Sequence, residues 1–247
     1  MALNLQENKR FIGMWGYPDP EVLSDIKAKY PEHEIIDLDI NYQVPDSGLL
    51  PDAYCRIIRN IVDNSIYLKD KMDVIVASIG EEKCDSARLT ALLLKDIGFN
   101  VIETRFETYD NRVIQVPIST SNLKLADKID LIMANIVKKQ DVSFKQSKAR
   151  FGFWGVPPND MSFLDLFPNE THVYGWVRCV EAQRPADIDL EMYVDEDVPT
   201  VFFVQTFCSK MQIAKYLAKK YNGLYIDVDD IATNSFRAKV EAFIKLR

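Results

Sequence analysis

Short, continuously apolar runs alternate along this chain with longer stretches whose apolar residues recur every three or four positions. The clearest instance is Val198–Asp229, VPTVFFVQTFCSKMQIAKYLAKKYNGLYIDVD. Val201–Val204 is a run of β-branched and aromatic residues, the pattern of a strand buried on both faces, as in parallel sheets. From about Lys210 to Tyr221, Met211, Ala214, Leu217, Ala218 and Tyr221 share one helical face. Asn222-Gly223 supplies the left-handed residue that ends such a helix, and Leu224–Val228 is the next strand. Cys208 then falls just past the carboxyl end of a strand and just ahead of a helix, where ligands bind in open α/β sheets.

The same unit occurs earlier, in Met72–Thr104. Strand Val74–Ala77 leads to a loop with Cys84, then to a helix ending at Gly98 and a strand at Val101–Ile102. Upstream, RFIGMWG (Arg10–Gly16) predicts a strand, YPDP turns the chain into a helix near Glu21–Lys29, and Glu34–Leu38 predicts another strand. Pro51–Leu68 has helical periodicity and carries Cys55 at its start. Leu123–Val137 is an amphipathic helix, with Ser119-Thr120-Ser121 placed to cap it. After the polar stretch Lys138–Lys148 the plan restarts. RFGFWGVPPND (Arg150–Asp160) repeats RFIGMWGYPDP, a short helix follows near Met161–Phe167, and a strand near Thr171–Trp176. These patterns predict an α/β protein of two Rossmann-like or flavodoxin-like lobes with parallel sheets, internally duplicated. The expected lobes are residues 1–140 and 149–247, with Lys138–Lys148 as linker.

Composition narrows the function classes. The 247 residues carry a net charge of −7 and form no basic stripe, which argues against a nucleic-acid partner. No apolar run reaches the length of a membrane helix, and MALNLQENKR lacks the apolar core of a signal peptide. A cytoplasmic setting with reduced cysteines is expected, which favours metal or redox use over structural disulfides. The four cysteines form two pairs with one spacing, 84 − 55 = 208 − 179 = 29. A helix N-terminus and a bound metal each stabilise a thiolate. Cysteines on separate loops suit an iron–sulfur cluster, whose ligands need only converge in space. No C-x2–4-C zinc spacing and no C-x-x-C redox pair is present. Four buried apolar cysteines are the competing interpretation.

Several of these segments resemble the 2-hydroxyacyl-CoA dehydratase family, which includes benzoyl-CoA reductase subunits. The resemblance rests on Phe207-Cys208 after a strand, on Ile226–Asp229 and on the terminal run Phe236–Phe243, FRAKVEAF. It rests equally on Cys55-Arg56 opening a helix and Cys84-Asp85 following the Asp73–Ala77 strand. It covers most of the chain, which is shorter than a typical family subunit and has Lys239 where arginine is usual. The resemblance implies a [4Fe–4S] cluster on Cys55, Cys84 and Cys208, with one iron open to the oxygen of an acyl-CoA thioester. It further implies an ATP-dependent activator or other electron donor, and a homo- or heterodimer. Cys179 is an additional candidate; four ligands would instead suit an electron-transfer or cluster-carrier protein. A cluster-free protein that binds a small ligand is the third possibility.

Other residues read more simply. Trp15 and Trp154 suit loop packing, and Gly16 and Gly155 suit turns, since no phosphate-binding glycine motif follows. His33 and His172 have no partner motif. Glu81, Glu82 and Asp85, beside Cys84, and the acidic run Asp187–Asp197 read as solvated surface.

Overall fold

The computed structural model of the chain describes residues 9–80, 84–105, 115–135, 143–184 and 188–247. The chain divides into two compact units, one of Met1–Pro51 and Ile57–Asp110, the other of Asp52–Arg56 and Asn111–Arg247. No described helix is long and apolar enough to cross a membrane.

In the first unit, β1 (Phe11–Trp15), β2 (Glu34–Asp37), β3 (Met72–Ser78) and β4 (Val101–Thr104) form one sheet in the order β2-β1-β3-β4. All its pairings are parallel. Every residue of β1 is buried, as its unbroken apolar run requires. Helix α1 (Pro20–Lys29) begins at a proline and is capped by Asp19, whose Oδ1 accepts from Glu21 N at 2.8 Å. Helix α2 (Arg56–Tyr67) buries Ile57, Ile58, Ile61 and Val62. The same helix fixes the chain after β2 through side-chain amides: Asn64 donates to Leu38 O (3.0 Å) and Ile40 O (2.8 Å), and Asn60 to Asp39 O (2.8 Å). Helix α3 (Asp85–Asp96) leads into β4.

The second unit repeats the plan. Strands β5 (Phe151–Trp154), β6 (Thr171–Tyr174), β7 (Thr200–Gln205) and β8 (Leu224–Val228) lie in the order β6-β5-β7-β8, again all parallel. The duplication holds at the level of single residues. A Cβ added to Gly13 would meet Leu38 at 2.9 Å, and one added to Gly152 would meet Tyr174 at 2.6 Å. Gly13 therefore corresponds to Gly152, Leu38 to Tyr174, and Trp15 to Trp154. Each tryptophan is the last residue of its strand rather than a loop residue.

Between its strands the second unit differs from the expectations. Residues Met161–Leu166 form a 3-10 helix. Helix α4 (Leu125–Ala134) packs on β6, on that 3-10 helix and on α5 (Trp176–Glu181), so it belongs to this unit and not to a lobe ending at residue 140. Its first residue follows Lys124, and the Ser119-Thr120-Ser121 cap does not form. Ser119 N instead donates to Glu181 Oε2 at 2.9 Å. The acidic run is not simply solvated surface either. Ile188–Met192 is helix α6, Glu191 is buried and pairs with Lys210 at 2.7 Å, and Val194 and Val198 enter the core. Apolar residues two or four apart within the run supply that burial. Helices α7 (Met211–Lys220) and α8 (Asn234–Leu246) complete the unit. Of the expected features, Glu81, Glu82, Asp187 and about half the linker lie outside the described residues, as does the side chain of Asp85.

Candidate functional site

No disulfide joins the four cysteines, and their settings differ. Cys84 is the N-cap residue of α3 in the first unit, half-buried. Cys208 occupies the corresponding loop of the second unit, between β7 and α7. It is half-buried, and one side of it packs on the core cluster of Trp154, Tyr174 and Phe202. Cys55 stands immediately before α2, on the short strip Asp52–Arg56 that packs with the second unit. That strip is held by polar contacts to the loop after β5. Asn159 Nδ2 donates to Asp52 O and to Tyr54 O, each at 3.1 Å, and the Arg56 guanidinium donates to Pro158 O at 3.3 Å and to Asn159 O.

Cys55 and Cys208 flank one aromatic pair. Tyr54 and Phe207 stack with ring centroids 6.4 Å apart, and each is the residue just before a cysteine. Phe207 has φ +64°, a left-handed backbone that is rare for a bulky residue outside turns under constraint. The turn is fixed from beneath by Gln205, fully buried, whose Nε2 donates to Val228 O (2.8 Å) and whose Oε1 accepts from Asn159 N (3.2 Å).

Cys179 is different. It lies inside α5 and is fully buried. The equal spacing of the two cysteine pairs is therefore an equality of sequence and not of place: Cys55 precedes its helix, and Cys179 is within one. Among the described residues no group of three or more His, Cys, Asp or Glu stands together so as to hold a metal ion.

A second concentration of polar groups, absent from the sequence expectations, lies at the carboxyl edge of the first sheet. Asp37 ends β2 and Asp39 follows it, both almost wholly buried. Asp39 N donates to Asp37 Oδ1 at 2.9 Å, and Asp39 Oδ2 accepts from Gly16 N at 2.9 Å. Asp37 Oδ2 is buried with no hydrogen-bond partner. Burial, and then the charge of Asp39, raises the Asp37 carboxyl well above the usual range. Burial pushes Asp39 up to about 7, against the opposing bond from Gly16 N–H. The Tyr42 phenol is raised too, by burial first and then by these two carboxylates. The two carboxyls therefore hold their protons to higher pH than exposed ones do. The signal was present in EIIDLDI, where aspartates interrupt an apolar run at the end of a strand.

Both histidines are engaged at Nε2. His33 Nε2 is engaged by Asp73, and His172 Nε2 lies 2.9 Å from Ser147 O. Gly16, with φ +62°, makes a turn, but its N–H is taken by Asp39, so the turn presents carboxylate where a phosphate would need a donor.

No protein-family model matches the chain, and no curated protein matches it.

Proposed function

We propose that the protein is a cytoplasmic iron–sulfur protein of the 2-hydroxyacyl-CoA dehydratase kind, with Cys55, Cys84 and Cys208 as ligands of a [4Fe–4S] cluster. The observation that carries this reading is the division among the thiols. Three are half-buried and stand just ahead of helices, while Cys179 is sealed in a helix core. In donor type, and each by its position ahead of a helix, the three suit a cluster. When bound, such a group supplies single low-potential electrons for reducing an acyl-CoA thioester with loss of water, drawn from an ATP-dependent activator or other donor. The chain's own share is positional. The Tyr54–Phe207 stack ties the residue before Cys55 to the residue before Cys208, and Arg56 and Asn159 fix the strip that carries Cys55. Anaerobic reconstitution followed by iron and sulfide analysis tests the reading. About four irons per chain are expected. The load should be kept in Cys179→Ser and lost in Cys55→Ser, Cys84→Ser and Cys208→Ser. A colourless wild-type protein would sink it.

One observation favours a second reading, a cluster-free protein that binds a small ligand. Asp37 presents a buried, unpartnered carboxyl oxygen at the edge where α/β sheets take ligands. On that reading the ligand bears hydroxyl or carbonyl groups rather than phosphate. Serine at any of the three half-buried cysteines would then leave binding unchanged, whereas Asp37→Ala would abolish it.

A further inference from the structure

Arg178 lies in the middle of α5, and its residue surface is 9% exposed. Its Nε and Nη1 are buried and have no hydrogen-bond partner among the described residues. A guanidinium cannot shed its charge, so a buried one requires an anion or hydrogen-bond acceptors. What surrounds this one is aromatic. The guanidinium carbon lies over the Tyr174 ring at 5.1 Å and over the Tyr193 ring at 5.2 Å. Those two rings meet edge to face, with centroids 6.1 Å apart, so the cation sits in the angle between them. The rings attract the charge but accept nothing from Nε or Nη1.

The carboxylate whose field overlaps that of Arg178 is committed elsewhere. Glu181, one turn further along α5, accepts from Ile118 N (2.6 Å), Ser119 N (2.9 Å) and the Ser119 hydroxyl. Asp195 is also in the neighbourhood of Tyr174, and its Oδ1 accepts from Asp197 N at 3.1 Å. Two oriented donors are thus left over on a permanent cation held by two aromatic rings. Tyr193, the outer ring, is half-exposed and gives the solvent side of the arrangement.

We propose that Arg178, Tyr174 and Tyr193 form an oxyanion-binding site in the second unit, and that its ligand carries a carboxylate. A guanidinium suits carboxylate and phosphate alike, but one held between two aromatic rings favours the singly charged, less heavily hydrated carboxylate, bound to one unpartnered nitrogen and to Nη2 beside it. The site is independent of the cysteines and stands whether or not a cluster is bound.

The test uses the full chain, with thermal unfolding and tyrosine emission followed in acetate, succinate, inorganic phosphate and chloride at one ionic strength. Wild type should gain thermal stability in millimolar acetate or succinate, more than in phosphate, and none in chloride. Arg178→Lys keeps the charge but loses the planar fork, and should bind about tenfold more weakly. Arg178→Met should fold and show no anion response. Tyr193→Leu, at a half-exposed position, should weaken binding about threefold and decides the matter if the arginine variants do not fold. A stronger response to phosphate would replace the carboxylate assignment. Wild type indifferent to all the anions, or a response unchanged in Arg178→Met or Tyr193→Leu, would overturn the site.

Discussion

The carboxyl edges of the two sheets are built on one plan and finished in opposite ways. In the second unit Trp154 Nε1 donates to Glu191 O at 2.7 Å, and the position corresponding to Asp39 is Gly175, which lies against the Trp154 ring. In the first unit Trp15 Nε1 is buried without a partner, and Asp37 and Asp39 stand where the second unit has Val173 and Gly175. Helix α6 closes the second edge with the backbone acceptor of Glu191, and Val194 beyond it enters the core. The first edge keeps polar groups out of water and leaves two of their atoms unmatched. Buried unmatched polar atoms cost stability, so a fold retains them where something else uses them. At the tryptophan one copy is matched by backbone, and the other is left beside buried carboxyls.

The largest expected effect breaks or supports that contrast through pH. In the unfolded chain Asp39 loses its proton near pH 4, whereas in the folded chain it holds the proton to about 7. The folded state therefore binds more protons in between, and stability should fall as pH rises from about 4 through about 7, with the raised Asp37 carboxyl acting in the same direction. The loss is on the order of 4 kcal/mol. Urea unfolding at stepped pH should show this slope in wild type and a much flatter one in Asp39→Asn. A variant that keeps the full slope would move the proton to another group and remove the distinction between the two edges.

A smaller difference is expected from one substitution made at both copies. In Gly152→Ala the new methyl meets Thr200 Oγ1 and Tyr174, buried groups with no room to move, and Thr200 is held further by its bond to Val198 O (2.9 Å). In Gly13→Ala it meets the thioether of Met72 at 2.8 Å and the end of Leu38, both at the tips of flexible chains. Gly152→Ala should cost about 3 kcal/mol and Gly13→Ala about 1 kcal/mol, read from urea midpoints. Equal costs would show the two sheets to be packed alike. Smallest is the tryptophan pair. Each change to phenylalanine leaves a similar cavity, but only Trp154→Phe breaks a hydrogen bond, so it should cost about 1 kcal/mol more than Trp15→Phe.

The strands were legible in the sequence, most plainly the inner ones that are buried on both faces and read as unbroken apolar runs, FIGMW and TVFFVQ. The tryptophan-glycine repeat foretold the register between the units. Helices α5 and α6 were not legible. At 6 and 5 residues they are too short for a period to show, and the acidic residues around α6 masked Leu190 and Val194. The place of Cys179 was lost with α5, since spacing counts residues and says nothing of whether the intervening chain coils. Asp37 and Asp39 were visible as letters, but the burial that raises their carboxyls comes from segments distant in sequence, such as α2, whose Asn60 donates to Asp39 O. Arg178 was hidden for the same reason: Tyr174 and Tyr193 come to it from either end of a connection whose path no local pattern states.

Phe207 has a consequence for how this chain tolerates change. A bulky side chain at φ +64° costs about 1–3 kcal/mol that a glycine there would not incur. Glycine would ease the bend and erase the ring that lies against Tyr54. A gain in backbone comfort at 207 is thus bought with a loss of aim for Cys208, the very next residue. Stability screens would favour the glycine; a screen for whatever Cys208 touches would favour the strained phenylalanine. Where those two rankings disagree most sharply along the chain is where selection for use, rather than for folding, has written the sequence.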